Sequence, residues 1–126
     1  MSSGGYGIFF QAGNIDGYGE CMLTVLIRTT GQYAIGKVID GNYTEINGWK
    51  DGTYLRRGYG VKNSIKVVWD NETAIYVLYI NGMEEVRFID LDSPQCSGGG
   101  SGVAAVITKY ESFPESPVKV RYRIYE

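Results

Sequence analysis

Histidine is absent from this sequence, and its absence excludes several kinds of site at once. A Ser-His-Asp or Cys-His catalytic arrangement needs an imidazole as its general base, so neither can be assembled from this chain alone. Two cysteines without histidine cannot close a four-ligand zinc shell either. Hydrolytic and zinc chemistry of these kinds is therefore not expected.

Cysteine is scarce, because the chain has only Cys21 and Cys96, which are too few for a disulfide framework. Cys21 lies in an alternating apolar run, where a free thiol behaves as a small buried hydrophobe. Cys96 lies in a segment rich in Ser, Pro and Gly, where we expect it to be accessible. We favour two free thiols and keep a Cys21–Cys96 bridge as the alternative.

Positive charge is not in excess, since 14 acidic residues outnumber 12 basic ones and leave a formal net charge of −2. Nucleic-acid binding needs a clustered positive field, so we expect no such partner. The most basic stretch, Lys119, Arg121 and Arg123, alternates with apolar residues and is interpreted as the solvent face of an edge strand. No apolar run approaches the roughly 20 residues of a membrane helix. Residues 1–5 carry no signal-peptide pattern.

Glycine and tyrosine are abundant, with 18 and 11 residues respectively. Glycine supplies turns, and tyrosine suits half-buried strand faces. Apolar residues alternate with period two along the chain, between clusters of Gly, Asn and Asp. We therefore predict a single all-β domain over residues 1–126, folded as an antiparallel two-sheet sandwich. The predicted strands cover residues 6–11, 20–28, 32–39, 43–49, 64–70, 73–80, 84–89, 102–109 and 117–125.

The same alternation predicts the core. Ile65, Val67 and Trp69 share one face of a strand, and we expect them to be buried together with Phe9 and Val77. The strand ending at residue 80 is apolar on both faces, which is typical of a central strand that is covered on both sides.

Several short motifs resemble one superfamily. Residues 64–88 contain a strand, a tight turn, a strand ending in Tyr79-Ile80-Asn81-Gly82, and a return strand with Val86. This element is similar to the hairpins of the concanavalin A-like lectin/glucanase superfamily, in particular to the laminin-G-like jelly rolls of bacterial, non-catalytic type. Trp49 and the segments at residues 6–10, 31–37, 101–104 and 120–125 resemble the same group.

The resemblance implies a jelly roll, an extracytoplasmic location and a glycan as partner. These jelly rolls usually carry one or two strands before the strand that corresponds to residues 6–10, and this chain lacks them. Either the domain is truncated or a partner strand completes the sheet. The segment at residues 6–10 has no Lys, Arg or Pro to discourage pairing, so we expect an open sheet edge there. Two copies of such an edge would pair as a two-fold homodimer.

Catalytic carboxylates are not favoured. The glucanases of this superfamily resemble one another in a Glu-x-Asp-x-x-Glu strand, and retaining hydrolysis needs two carboxyl groups about 5 Å apart. Glu84 and Glu85 are neighbours that point to opposite faces of a strand, and Asp90 and Asp92 lack a third acid at the required spacing. A glycoside-processing enzyme is therefore the least favoured function.

Sugar binding needs flat aromatic faces and planar hydrogen-bonding groups. We predict Trp49, Tyr54, Arg56 and Tyr59 as ligand-binding residues, because the last three lie in a Gly- and Arg-rich loop at residues 53–62. Packing at the sheet rim is the structural alternative for Trp49, and a solvated loop is the alternative for the other three.

Calcium is the only cofactor for which the sequence offers ligands. Asn14 and Asp16 supply oxygen atoms in a Gly-rich segment, but two short acceptors are far from a full shell. A turn-forming role is favoured for both residues.

The function we expect is a non-catalytic carbohydrate-binding or adhesion-like module of a larger extracytoplasmic protein. The alternative is a structural or assembly domain that associates with itself through the open edge.

Overall fold

The computed structural model describes residues 5–106, with side chains up to Ala104. In this range the chain forms eight β-strands and no helix, so no helix there could cross a membrane. The predicted strand at 117–125, with Lys119, Arg121 and Arg123, lies outside the described residues. The strands are β1 (Gly5–Ile15), β2 (Gly19–Ile27), β3 (Gln32–Ile39), β4 (Asn42–Asp51), β5 (Ile65–Asp70), β6 (Ile75–Ile80), β7 (Met83–Phe88) and β8 (Gly100–Val106).

Two antiparallel sheets account for these strands, as the alternation predicts. One sheet has the order β4-β3-β2-β1-β8 and the other has the order β5-β6-β7. Two tight turns join strands at Asp40-Gly41 and Asn81-Gly82, and both residues of each turn have positive φ. Such turns suit the twist of a hairpin, and Asp-Gly and Asn-Gly are the pairs that adopt them most readily.

A shared hydrophobic core packs the two sheets together in a sandwich-like arrangement. Alternate residues of β2, from Cys21 through Val25 to Ile27, are buried and belong to one cluster with Leu78 and Ile80 of β6. The buried members of that cluster are Cys21, Leu23, Val25, Ile27, Tyr33, Ile35, Leu55, Tyr76, Leu78, Ile80, Phe88 and Cys96.

The core predicted from sequence is wrong at three positions. Trp69 is 47% exposed, because it lies near the end of β5, where Tyr76 stacks on its ring at 5.9 Å between centroids. Val77 is paired with Val68 and lies on the face of β6 opposite to its buried residues. Phe9 is paired with Thr24 and Gly102, on the face of β1 opposite to that of Ile8 and Phe10, so it is not part of the core cluster.

Ile65 and Val67 do pack against the core cluster, as predicted, although both remain partly exposed. The expectation that β6 is covered on both faces is wrong. Tyr76, Leu78 and Ile80 are buried, whereas the alternate residues of the strand are only half-buried. β6 is nevertheless the central strand of its sheet, as predicted.

The N-terminal strand does not form the open edge that we expected. β1 lies between β2 and β8, and Ile8 is paired with Val25 on one side and Val103 on the other. β1 also continues to Ile15 through a bulge between Phe10 and Gly13, where the sequence predicts a loop. A homodimer through this strand is therefore not supported, because its backbone groups already have partners within the chain.

Cys21 and Cys96 form a disulfide, which corrects our preference for two free thiols. The bridge ties β2 to the segment before β8, and Cys96 is buried rather than accessible. Beside it, the Nζ atom of Lys37 forms a buried ion pair with Oδ1 of Asp90. Covalent and ionic contacts thus hold the segment that follows β7 against the five-stranded sheet.

Candidate functional site

The loop at residues 53–63 joins β4 to β5 and contains three of the four predicted ligand-binding residues. Tyr59 is 92% exposed and Tyr54 is 38% exposed. Arg56 is also exposed. The structure therefore places Tyr54, Arg56 and Tyr59 on one segment of the surface, whereas Trp49 lies outside this loop, in β4.

Two asparagine side chains hold the ends of the 53–63 loop together. The N–H of Arg56 donates to Oδ1 of Asn63 at 2.9 Å, and Nδ2 of Asn63 donates back to the carbonyl of Arg56 at 3.1 Å. Nδ2 of Asn81 donates to the carbonyl of Tyr54 at 2.8 Å and to Oδ1 of Asn63 at 2.9 Å. Oδ1 of Asn81 accepts the N–H of Ser64 at 2.9 Å. Asn63 and Asn81, here called the asparagine clamp, thus fix the base of the loop to the β6–β7 turn.

Further contacts fix the loop to both sheets. Leu55 is buried in the core cluster, with 7% of its surface exposed. Oε1 of Glu85 accepts the N–H groups of Thr53 at 2.8 Å and Tyr54 at 3.3 Å. The N–H of Gly58 donates to the carbonyl of Thr29 in the β2–β3 turn at 2.7 Å. Contacts within the chain therefore hold the base of the loop.

The tip of the loop presents Tyr59 between two glycines. Gly58 has φ of 108° and Gly60 has φ of 74°, and residues other than glycine rarely adopt such positive φ values. These two residues let the backbone reverse on either side of Tyr59, which leaves the phenol ring in solvent. A substitution at either glycine would strain the turn that carries the ring.

Three cations lie in the same loop as these tyrosines. Arg56, Arg57 and Lys62 are all exposed. Across the range 5–106, none of the three takes part in an ion pair. A guanidinium Nη1 of Arg56 donates to the carbonyl of Lys62 at 3.3 Å, which places the two residues side by side. The loop can therefore offer aromatic faces, planar donors and uncompensated positive charge to a ligand.

Trp49 packs on the five-stranded sheet, in agreement with the alternative that its ring packs at the sheet rim. The guanidinium carbon of Arg28 lies 3.5 Å from the centre of its ring. A Cβ placed on Gly5 would lie 2.7 Å from the ring and 3.2 Å from Cβ of Leu26. The ring therefore covers the face of the sheet that carries Leu26, opposite to the core, and it is half-buried there.

Three tyrosines have a raised pKa because burial disfavours the phenolate form. For Tyr33, the charge of Glu85 raises the pKa further. Burial is also the main cause for Tyr76, where a hydrogen bond from Gln11 opposes the shift. Tyr43 lies over Gly36, and burial and Glu45 raise its pKa, against the opposing effects of Arg28 and Thr24. These three tyrosines support the fold and are separate from those of the 53–63 loop.

The acidic candidates are engaged in local contacts. Glu84 accepts hydrogen bonds from the guanidinium of Arg87 at 3.0 and 3.3 Å, and Glu85 accepts the two loop N–H groups. Asp90 is buried against Lys37. Asn14 and Asp16 are both exposed. Among residues 5–106, no cluster of three or more acidic, cysteine or histidine side chains is arranged to hold a metal ion.

A cavity of about 350 Å³ lies beside the buried ion pair, and sequence reasoning missed it. It separates the β3–β4 hairpin from the segment that follows β7. Its lining residues are Lys37, Ile39, Thr44, Glu45, Ile46, Ile89, Asp90, Leu91, Asp92 and Ser93. The segments that form it are distant in sequence, so only the topology reveals it.

No family model, no curated protein and no solved structure matches the chain. The candidate site therefore rests on its own geometry.

Proposed function

We propose that this chain is a non-catalytic carbohydrate-binding or adhesion-like module with a jelly-roll fold of the concanavalin A-like type, and that it binds its ligand through the 53–63 loop. The observation that carries the proposal is the exposure of Tyr59, at 92%, on a loop whose base is held by the asparagine clamp. A ring in solvent contributes little to folding. A ring on an ordered loop, in contrast, can stack on a sugar with little loss of conformational entropy.

The chemistry of the loop suits a carbohydrate. Tyr59 and Tyr54 supply aromatic faces for the apolar face of a sugar ring. Arg56 supplies planar donors that hydroxyl or acidic oxygen atoms can accept. Such a mixture of aromatic and polar groups is typical of specific small-ligand sites.

The disulfide supports the extracytoplasmic part of the proposal. Structural disulfides persist in oxidising compartments and are rare in the cytosol of mesophiles. The Cys21–Cys96 bridge is buried at both ends, with 0% and 3% of the two residues exposed, which fits a structural role. An extracytoplasmic domain would also meet cell-surface or extracellular polysaccharides.

The test is a binding measurement on immobilised glycans followed by titration calorimetry on any hit. We expect Tyr59→Ala to weaken binding by about tenfold, which corresponds to the roughly 1–1.5 kcal/mol that one stacked ring contributes. The melting temperature should stay unchanged, since the ring has few contacts in the free protein. Tyr18→Ala is the matched control, because Tyr18 is another exposed tyrosine, at 51%, in the turn after β1.

Two results would contradict the proposal. Equal affinity of the Tyr59→Ala and wild-type proteins would remove the loop as the platform. Absence of binding to every glycan at millimolar concentration would remove the carbohydrate function itself.

A further inference from the structure

The antiparallel connectivity assigns each connection between strands to one of two ends of the molecule. The β2–β3 turn and the 53–63 loop lie together, because the N–H of Gly52 donates to the carbonyl of Gly31 at 2.8 Å and that of Gly58 donates to Thr29 at 2.7 Å. The β6–β7 turn joins them through the asparagine clamp. We call this the loop end. The opposite ends of these strands carry the β1–β2, β3–β4 and β5–β6 turns. We call this side of the molecule the turn end.

Positive charge is concentrated at the loop end. Its segments at residues 28–31 and 50–64 contain five cations and one acid, Asp51. Two further acids lie near this end at the start of β7: the carboxylate of Glu85 accepts two N–H groups of the loop, and that of Glu84 is paired with Arg87. The five cations are Arg28, Lys50, Arg56, Arg57 and Lys62.

Negative charge is concentrated at the turn end. Its segments at residues 16–20, 40–42 and 70–74 contain five acids and no Lys or Arg. The acids are Asp16, Glu20, Asp40, Asp70 and Glu72. The N–H of Asp40 donates to the carbonyl of Glu20 at 2.7 Å, which brings two of the turns together.

The formal net charge of −2 belongs to the whole chain, and within residues 5–106 it hides a separation of charge between the two ends. Such a separation attracts an anionic partner to one end and repels it from the other, so it selects both the partner and its orientation. A neutral glycan would gain nothing from it.

We infer that the ligand of the 53–63 loop is a polyanionic polysaccharide, bearing sulfate or carboxylate groups, which the cations of the loop end bind while Tyr59 stacks on a sugar ring. This inference rests on the proposed function. Guanidinium groups match sulfate and carboxylate in a bidentate geometry. A polysaccharide is favoured over a nucleic acid because the buried disulfide indicates an oxidising compartment.

Titration calorimetry with four probes tests the inference: a heparin oligosaccharide, polygalacturonate fragments, neutral dextran and single-stranded oligo(dT). We expect the sulfated or the carboxylated probe to bind and dextran to bind at least tenfold more weakly. Affinity should fall steeply as NaCl is raised from 20 to 300 mM, because exposed charges are screened.

Charge variants locate the site. Arg56→Gln and Arg57→Gln should each weaken binding of the acidic probe by roughly five- to tenfold, as expected for the loss of a charge-assisted contact. Lys66→Gln is the matched control, since it removes the same charge from β5, where Lys66 lies 5.8 Å from the centre of the Tyr79 ring. Its affinity should equal that of the wild-type protein, and all three variants should melt at the wild-type temperature.

The outcomes separate the inference from the proposed function. Binding to dextran alone overturns the inference and leaves the carbohydrate function in place. Binding to no polysaccharide overturns both. Tighter binding to oligo(dT) than to the acidic polysaccharides would overturn the inference, because the ligand would then be a nucleic acid. Equal losses of affinity in Lys66→Gln and Arg56→Gln would also overturn it, because they would show that charge attracts the probe without a binding site at the loop.

Discussion

Replacing Lys37 by methionine tests how the segment after β7 is held on the five-stranded sheet. The ammonium of Lys37 has three donors and three partners: Oδ1 of Asp90, the carbonyl of Asp92 at 2.7 Å and that of Pro94 at 2.8 Å. The other oxygen of Asp90 accepts the N–H of Cys96 at 3.0 Å. The buried cation therefore has one carboxylate and two carbonyl oxygens as its partners.

The expected cost follows from what the substitution leaves behind. Lys37→Met would leave the Asp90 carboxylate, of which 4% is exposed, with one N–H partner and no cation. Removing one partner of a buried ion pair typically costs about 3–5 kcal/mol. Replacing both charges is far milder, so Lys37→Met with Asp90→Leu should cost at least about 2 kcal/mol less than the sum of the single variants.

Urea unfolding of the oxidised protein measures these values as a double-mutant cycle. Arg87→Met is the control for general loss of an ion pair, because Arg87 and Glu84 are paired on the surface. Its unfolding midpoint should hardly change, since exposed pairs are screened by solvent. A cost below about 1 kcal/mol for Lys37→Met, or strictly additive single variants, would refute a buried and coupled pair.

Four further outcomes are expected. Ile8→Lys should unfold the domain without dissociating any assembly, and a folded variant by circular dichroism would refute the internal position of β1. Replacing Cys21 and Cys96 by serine should cost about 4 kcal/mol on the chain-entropy estimate for a separation of 75 residues, and unchanged urea unfolding would contradict a structural role. Trp69→Ala should cost about 2 kcal/mol, below the roughly 3–5 of a buried aromatic, because half of its surface is exposed already. Stability should fall above about pH 10, because Tyr33, Tyr43 and Tyr76 have raised pKa values in the native protein and ionise first in the unfolded chain; titration at 295 nm should show their delayed ionisation in the native protein.

Sequence alternation is sufficient to place the strands within residues 5–106, apart from the second half of β1. The Asp40-Gly41 and Asn81-Gly82 pairs mark two turns, and the period-two runs on either side of them are strands in the structure. Alternation also sorts each strand into two faces. It does not say which face is turned toward the other sheet, and for this reason the core predicted from sequence contains Val77, whereas the buried residue is Leu78.

Other features depend on contacts between distant segments. Trp69 is exposed because β5 ends where its ring lies, and residue type alone does not reveal the end of a sheet. Cys21 and Cys96 are 75 residues apart, and they meet only because β2 lies against the segment that follows β7. The asparagine clamp also depends on contacts between distant segments. An Asn in a turn is expected in any sequence, and only the hydrogen-bond partners of Asn63 and Asn81 reveal that they hold the loop.

The separation of charge has its origin in the order of the chain. Consecutive connections of an antiparallel sheet lie at opposite ends of its strands. As far as β6 the connections alternate in sign: Asp16 and Glu20 are followed by Arg28, then by Asp40, then by the basic 53–63 loop, and then by Asp70 and Glu72. The next connection, Asn81-Gly82, carries no charge. The sign of the charge changes from one of these connections to the next, and so does the end of the sheet at which the connection lies. Acids therefore accumulate at one end and cations at the other. The net charge averages over both ends and over the residues outside the range 5–106, so it does not reveal the local excess of cations at the loop end, which depends on the order of the strands.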